Sequence, residues 1–350
     1  MKRVLIVGAG YLGRRVFEWV RRSSNIQVEM TNRNSQAAGR VDFLQRHTFP
    51  TMTAFDVVVD CAEADCQARV EAAQYCLENK IDFIEPSSDS QVTHEFIAKF
   101  QQPVSDARIL LGVGLFPGLS TLTAADAVKG QHGSVEVGVR LNPVSGAGRS
   151  TAKLMAALML RDAKVYTNGQ PQYIPAMTEA PRVIFPSGMC DALYVDLPDS
   201  EVIARLFNLA RSSTVISFVP SGFTKTVAKL AQITHRMGAK EKQLVKALIA
   251  LSGTLFRTYL LGSRPTRVEI TASAHVNAEN GTHASMVAVS DGMNAAALAI
   301  ATALEIEWAR SSANALVFLP DCTGLEEFIQ LMRTHAKSEL AIDGPHRIPV

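Results

Sequence analysis

Three glycines near the start of the chain, Gly8, Gly10 and Gly13, follow the apolar run Val4-Leu5-Ile6-Val7 and precede a helix-like pattern. Strand, tight turn, helix is the order in which G-x-G-x-x-G has physical meaning as a dinucleotide fingerprint. The first glycine permits the turn, the second lets a pyrophosphate approach the backbone, and the third lets the helix pack closely on the strand. The free N–H groups and positive dipole end of that helix then face the phosphates. Tyr11 and Leu12 lie between the second and third glycines and belong to the same expected site.

Which dinucleotide fits is decided at the tip of the next strand, Ile26-Gln27-Val28-Glu29-Met30-Thr31. A ribose-binding acid is expected about 20 residues past the glycines. Glu29 has roughly that spacing but sits inside the strand, and the tip reads Asn32-Arg33-Asn34. A carboxylate there repels a 2′-phosphate, whereas a guanidinium flanked by amides pairs with it through charge-assisted bonds. The expected cofactor is therefore NADP(H) in preference to NAD(H).

Hydride transfer also needs a proton donor if oxygen or nitrogen takes up charge. The candidates are Arg149, Lys153, Lys225 and Tyr194. Asn142 opens a Gly/Ser-containing loop that runs through Arg149 into a helix, an arrangement suited to an anion such as a substrate carboxylate. It is not a Walker A loop, because Pro143 stands where that motif needs glycine and Arg149 where it needs lysine. The eight histidines show no triad or metal pattern. Cysteines 61, 66, 76, 190 and 322 lack metal-ligand spacing, and an odd set of five suggests no disulfide framework. No metal is expected, and Cys61 and Cys66 read as small packing residues.

The elements that must hold these residues alternate. A helix over 11–22 turns Leu12, Val16, Trp19 and Val20 to one face. Strands follow at 55–62, 80–88 and 109–114, with a helix through 65–79, and a further helix begins after Ser120. This alternation gives a doubly wound parallel sheet. The tip of the 55–62 strand brings Cys61 and Ala62 under the cofactor. Beyond it, strands are expected at 135–141, 182–185, 193–197, 215–219, 267–274 and 284–290, with helices at 152–160, 200–211, 223–236, 240–254 and 293–309. They suggest a mixed or antiparallel sheet covered on one face, with Asn280-Gly281 marking a hairpin turn. The Pro- and Gly-containing tail, 343–350, reads as peripheral.

The fingerprint, the Asp56–Ala62 strand, the Ile81–Asp89 segment and the turn Gly112-Val113-Gly114-Leu115-Phe116-Pro117-Gly118-Leu119-Ser120 occur together in that order. In this the chain resembles the saccharopine dehydrogenase (saccharopine reductase-like) family of NAD(P)-dependent oxidoreductases, most closely over residues 1–130. The resemblance implies a Rossmann domain (1–128), an inserted α/β substrate and dimerisation domain (129–290) and C-terminal helices returning to the Rossmann domain (291–350). It places the nicotinamide near Gly114, Leu115 and Phe116, and a substrate between the domains beside Phe116, Ser120, Asn142 and Arg149. Members acting on amino acids usually carry Asp before the Pro-Gly of the turn, where this chain has Phe116. A phenyl ring cannot face an amine or imine as a carboxylate can, so the family's substrate is not carried over.

Bulk properties narrow the partners. The 350 residues are 47% hydrophobic and 19% charged, enough for two substantial cores. A net charge of +2 without a basic run excludes a nucleic-acid surface. The apolar stretches at 243–262 and 293–305 are broken by charge or too short to span a membrane. Val4–Val7 is too short for a signal-peptide core. A reduced, cytoplasmic homo-oligomer, most simply a dimer, acting on a small molecule is expected. Two readings compete with a C=N or C=O reductase: a non-catalytic NADP(H)-binding sensor and a trans-acting enoyl reductase.

Overall fold

A computed structural model describes residues 1–33, 40–100, 106–128, 133–142, 149–238, 241, 243, 245, 247–248, 266–276, 282–308 and 315–349, with backbone alone at 149–151, 276, 282–283 and 349. The chain divides into two compact units, Met1–Gly118 with Ala296–Thr323, and Leu119–Ala295 with Gly324–Val350.

In the first unit β1 (Lys2–Val7), α1 (Tyr11–Val20), β2 (Ile26–Thr31), β3 (Val57–Asp60), α2 (Cys66–Glu78), β4 (Asp82–Glu85), α3 (Ser90–Lys99) and β5 (Ile109–Leu111) alternate as expected. All the pairings are parallel, and the strand Leu316–Phe318 adds beside β5. The order across the sheet is Leu316–Phe318, β5, β4, β3, β1, β2. Strands covered on both faces read as unbroken apolar runs, and Val57, Val58 and Val59 are all buried. The helix α1 buries Gly13, Val16, Trp19 and Val20. Phe83 lies 6.2 Å from Phe43 and 6.3 Å from Phe96, ring centre to ring centre, extending the core along one face. Because β2 and β3 flank β1 on opposite sides, the sheet has a topological switch point between β1 and β3, where such sheets bind ligands.

The second unit contains α4 (Ser120–Val128), β6 (Gly133–Leu141), α5 (Arg149–Leu158), β7 (Ala163–Thr167), β8 (Gln170–Ile174), β9 (Glu179–Phe185), β10 (Gly188–Tyr194), α6 (Asp199–Phe207), β11 (Arg211–Phe218), α7 (Ser221–His235), β12 (Val268–Val276) and β13 (Thr282–Val289). In chain order Leu316–Phe318 is β14 and Ile342–Pro349 is β15. The sheet is mixed: β6 and β11 run parallel, while the β12–β6, β12–β13, β13–β15 and β9–β10 pairs are antiparallel. Ala124, Ala127, Ile203, Val135, Val137, Ala272 and Ala274 form the core between helices and sheet.

Several expectations shift. Because α4 packs on the second sheet, the units part at Gly118 instead of at residue 128. The 291–350 segment is shared: 296–323 goes with the first unit and 324–350 with the second. The tail is not peripheral, since β15 is hydrogen-bonded along β13. Apolar residues of the helix Gly292–Ala303, including Leu298 and Ile300, are buried within the chain. The expected helix at 240–254 and the Asn280-Gly281 turn fall largely or wholly outside the described residues, but the hairpin strands pair as anticipated.

Candidate functional site

The fingerprint glycines divide by what surrounds them. Gly8 has φ +113°, and a Cβ there meets the Cys61 carbonyl oxygen at 2.3 Å. A Cβ on Gly13 meets the Gly8 carbonyl oxygen at 1.9 Å. The fold itself therefore demands these two glycines, which bring β1, α1 and the end of β3 into contact. Gly10 differs: a Cβ there would find nothing within 4 Å. Gly10 is also the N-cap of α1 and supplies no side-chain cap, and the first turn carries no acid. Among the described residues nothing crowds Gly10, so the N-terminal end of α1, with its N–H groups and positive dipole, fits a phosphate.

Around this cradle, Arg14 Nε donates to the Ala9 carbonyl oxygen at 2.9 Å, and the Arg15 guanidinium lies 4.7 Å from the Tyr11 ring centre. Thr31 closes β2, with its carbonyl oxygen accepting from the Gly8 amide at 2.8 Å. Of the three residues read as phosphate contacts, Asn32 is half-buried and Arg33 exposed, while Asn34 lies outside the described residues.

At the ends of β3 and β4 the structure adds three residues that sequence reasoning missed. Asp60 and Glu85 are both buried, and Arg69 of α2 reaches between them. Its Nη1 lies 3.1 Å from Asp60 Oδ2 and 3.3 Å from each Glu85 oxygen. Its Nη2 and Nε donate to the carbonyl oxygens of Ala62 (2.8 Å) and Ala64 (3.1 Å). Asp60 Oδ1 accepts from the Ala62 amide at 2.8 Å, and Glu85 Oε1 from the Ser87 amide at 2.8 Å. The loop carrying Cys61 and Ala62 is thus tied down from both sides. Two carboxylates share one cation. Burial, with Asp60 adding to it, pushes the Glu85 carboxyl well above the usual range despite the pull of Arg69. Burial also raises the Cys61 thiol far above its ordinary value and Cys66 to about 11, so neither is a ready nucleophile. The available signal was that a carboxylate closes each of two apolar strands, Val57-Val58-Val59-Asp60 and Phe83-Ile84-Glu85.

The turn after β5 leans on the same strand end: the Gly112 amide donates to the Glu85 carbonyl oxygen at 2.9 Å. Gly118 has φ +133°, and a Cβ there would press on Gly112 O at 3.3 Å. At Gly114 the nearest atoms to a Cβ are Pro117 O at 3.6 Å and Pro86 O at 3.8 Å, ordinary contacts. Phe116 is half-buried.

In the second unit the expected residues do not all gather. Asn142 follows β6 directly, and Arg149 opens α5, though its side chain is outside the described set. Lys153 is exposed on α5. Lys225 is exposed on α7 and lies 3.5 Å from Asp191 Oδ2. The Tyr194 hydroxyl accepts from Arg211 Nη2 at 3.3 Å, and Arg211 pairs with Ser134 at the start of β6. That start is roughly 25 Å of strand from Asn142, and Tyr194 itself stands beside Val215, level with Gly138 in mid-strand. Burial raises its phenol further. Ser120 is fully buried and gives its hydroxyl to Asp199 Oδ1. That carboxyl is pushed up to about 7 by burial, against the bond from Ser120. Closer to Asn142, an unanticipated cluster stands at the end of β6: Arg140, Ser187 and Arg267 all bond the buried Glu269. Among the described residues no group of three or more His, Cys, Asp or Glu could hold a metal, and no helix is long and apolar enough to cross a membrane.

No family model and no curated protein matches the chain. Among solved structures it is similar to apo saccharopine dehydrogenase (L-Glu forming) from Saccharomyces cerevisiae, at TM-score 0.60 and 14% identity over 98% of this chain and 99% of that one. Fainter likenesses, both at TM-score 0.46, are to DAP dehydrogenase of C. glutamicum in complex with DAP (12% identity, 95% of each chain) and to an engineered D-amino acid dehydrogenase bound to NADP+ (11% identity, 95% of each chain). The first shows a shared α/β fold: a Rossmann-like parallel sheet with a second, mixed sheet.

Proposed function

We propose that the protein is an NADP(H)-dependent oxidoreductase acting on a C=N or C=O bond of a small metabolite. The observation that carries this reading is the contrast among the fingerprint glycines. Packing explains Gly8 and Gly13, whereas at Gly10, the N-cap of α1, no described atom comes within 4 Å of where a Cβ would stand. The shared fold and the position of Gly10 at the switch point support it. When bound, the dinucleotide supplies or accepts the hydride. The chain's own residues do the rest. The α1 amides and Gly10 seat the pyrophosphate, and Arg33 with Asn32 selects the 2′-phosphate. The Cys61–Ala62 loop and the Gly114–Phe116 turn line the nicotinamide end. At the other unit, Asn142 and Arg149 hold a substrate anion, with Lys153 nearest to them in the chain as a proton source.

Equilibrium binding tests the cofactor assignment. Wild type should bind NADPH more tightly than NADH, and Arg33→Ala should reduce that preference on the order of tenfold. Equal affinity in wild type removes the Arg33 assignment. Turnover is tested by NADPH oxidation with keto acids, with aldehydes plus amines, and with enoyl thioesters. Phe116, at a turn position suited to a carboxylate, favours one second reading: a dinucleotide sensor, which would bind NADPH tightly yet oxidise it with none of these.

A further inference from the structure

Asp60 and Glu85 are fully buried carboxylates at the ends of β3 and β4, joined by the mostly buried Arg69, and the proposed function gives none of the three a role. We propose that the three act as one charge-balancing unit at the nicotinamide end of the site, positioning the turns that line it and favouring the cationic, oxidised ring over the neutral, reduced one. The inference rests on the dinucleotide reading above.

The geometry supplies both halves. For positioning, Arg69 holds the carbonyl oxygens of Ala62 and Ala64 while Asp60 holds the Ala62 amide, so the loop after β3 is fixed by its own strand end and by α2. Glu85 fixes the Ser87 amide with its side chain and the Gly112 amide with its carbonyl oxygen. The cluster's side chains therefore set the 61–64 loop and the Ser87 turn, while the backbone of the same β4 end carries the start of the 112–118 turn. For charge, the groups facing Glu85 are Asp60 and the Cys61 thiol from the end of β3, Arg69 and Cys66 from α2, and its own Ser87 amide. Asp89 and Glu95, at the start of and within α3, act on Cys66. Arg69 is the one cation among these. With Glu85 protonated the cluster is neutral, and with Glu85 ionised it carries one negative charge. Burial holds that proton on Glu85 into the neutral range, so the charge changes within reach of ordinary buffers.

A negative charge there helps a cationic ring and does nothing comparable for a neutral one. Both cofactors carry the same phosphates, so the ratio of their dissociation constants isolates the ring. The experiment measures NADP+ and NADPH binding to wild type, Glu85→Gln and Asp60→Asn from about pH 6 to about pH 9. In wild type the ratio Kd(NADPH)/Kd(NADP+) should rise on the order of five- to tenfold across that range. Glu85→Gln should leave it flat because no proton is exchanged. Asp60→Asn should also flatten it, because Glu85 then shares Arg69 with no competitor and stays ionised throughout. A flat wild-type ratio with both cofactors bound overturns the proposal and leaves the dinucleotide reading standing. So does a slope that persists in whichever variant folds. Failure to bind either cofactor overturns the dinucleotide reading, and the proposal with it.

Discussion

In the first unit two carboxylates, Asp60 and Glu85, share one guanidinium at the ends of β3 and β4. In the second, one carboxylate, Glu269, is shared by two guanidiniums, Arg140 and Arg267, at the ends of β6 and β12. The inversion has unequal consequences. The surplus cation beside Glu269 is solvated, because the Arg267 side chain is 58% exposed. The surplus anion beside Arg69 is not, because both carboxylates have no exposed side-chain surface. Water settles the second cluster, whereas the first must hold a proton or a cationic ligand. Burying like charges together is costly, and such pairs gather where chemistry needs them.

The sharpest way to break this comparison is Arg69→Met, which strands two buried carboxylates. It should destabilise the first unit by about 3–5 kcal/mol, read by denaturant unfolding. A loss below about 1 kcal/mol would mean the cluster is already neutralised in another way. Asp199 extends the series to a buried carboxyl whose partner is the Ser120 hydroxyl. Its folded value, about 7, lies above its ordinary one of 3.8, so the folded state holds the proton more tightly. The stability it contributes is fully present below about pH 4 and is lost as pH rises towards about 7, by about 2–4 kcal/mol in all. Asp199→Asn should remove that part of the slope of stability against pH. Arg140→Met should cost about 1–2 kcal/mol, because Ser187 and Arg267 still serve Glu269. Arg267→Ala should cost under about 1 kcal/mol in thermal melts, since its ion pair is largely in water. If Arg267 proved as costly as Arg69, the contrast between the clusters would fall.

The first unit's order of elements was legible because its signals are local. An apolar strand, three spaced glycines and an amphipathic helix occupy a single stretch, and β3 opens with three valines in a row. The Asp60–Arg69–Glu85 cluster was not legible, since a carboxylate ending a strand looks like a solvated end until the fold brings Arg69 across. Tyr194 misled for a related reason: its side chain turns towards Arg211, a direction that depends on strand register. The β7–β8 hairpin was missed although its turn, Asn168-Gly169, has φ +48° and +74°, the pattern that Asn-Gly favours. The exposed Gln170-Pro171-Gln172 hid the alternation there. Three-residue β14 is too short to show a period, and β15 carries Gly344 and Pro345, which read as loop.

Those two late strands have a consequence for how the molecule is made. β14 is the outermost strand of one sheet and β15 of the other, and both come from residues beyond 315. Neither sheet is complete until the ribosome has passed them, so the units cannot mature one after the other along the chain. A chain halted at residue 315 would leave the flanks of β5 and β13 bare, each a template for a strand of another molecule. One late stop codon is thereby a lesion in both halves of the protein at once.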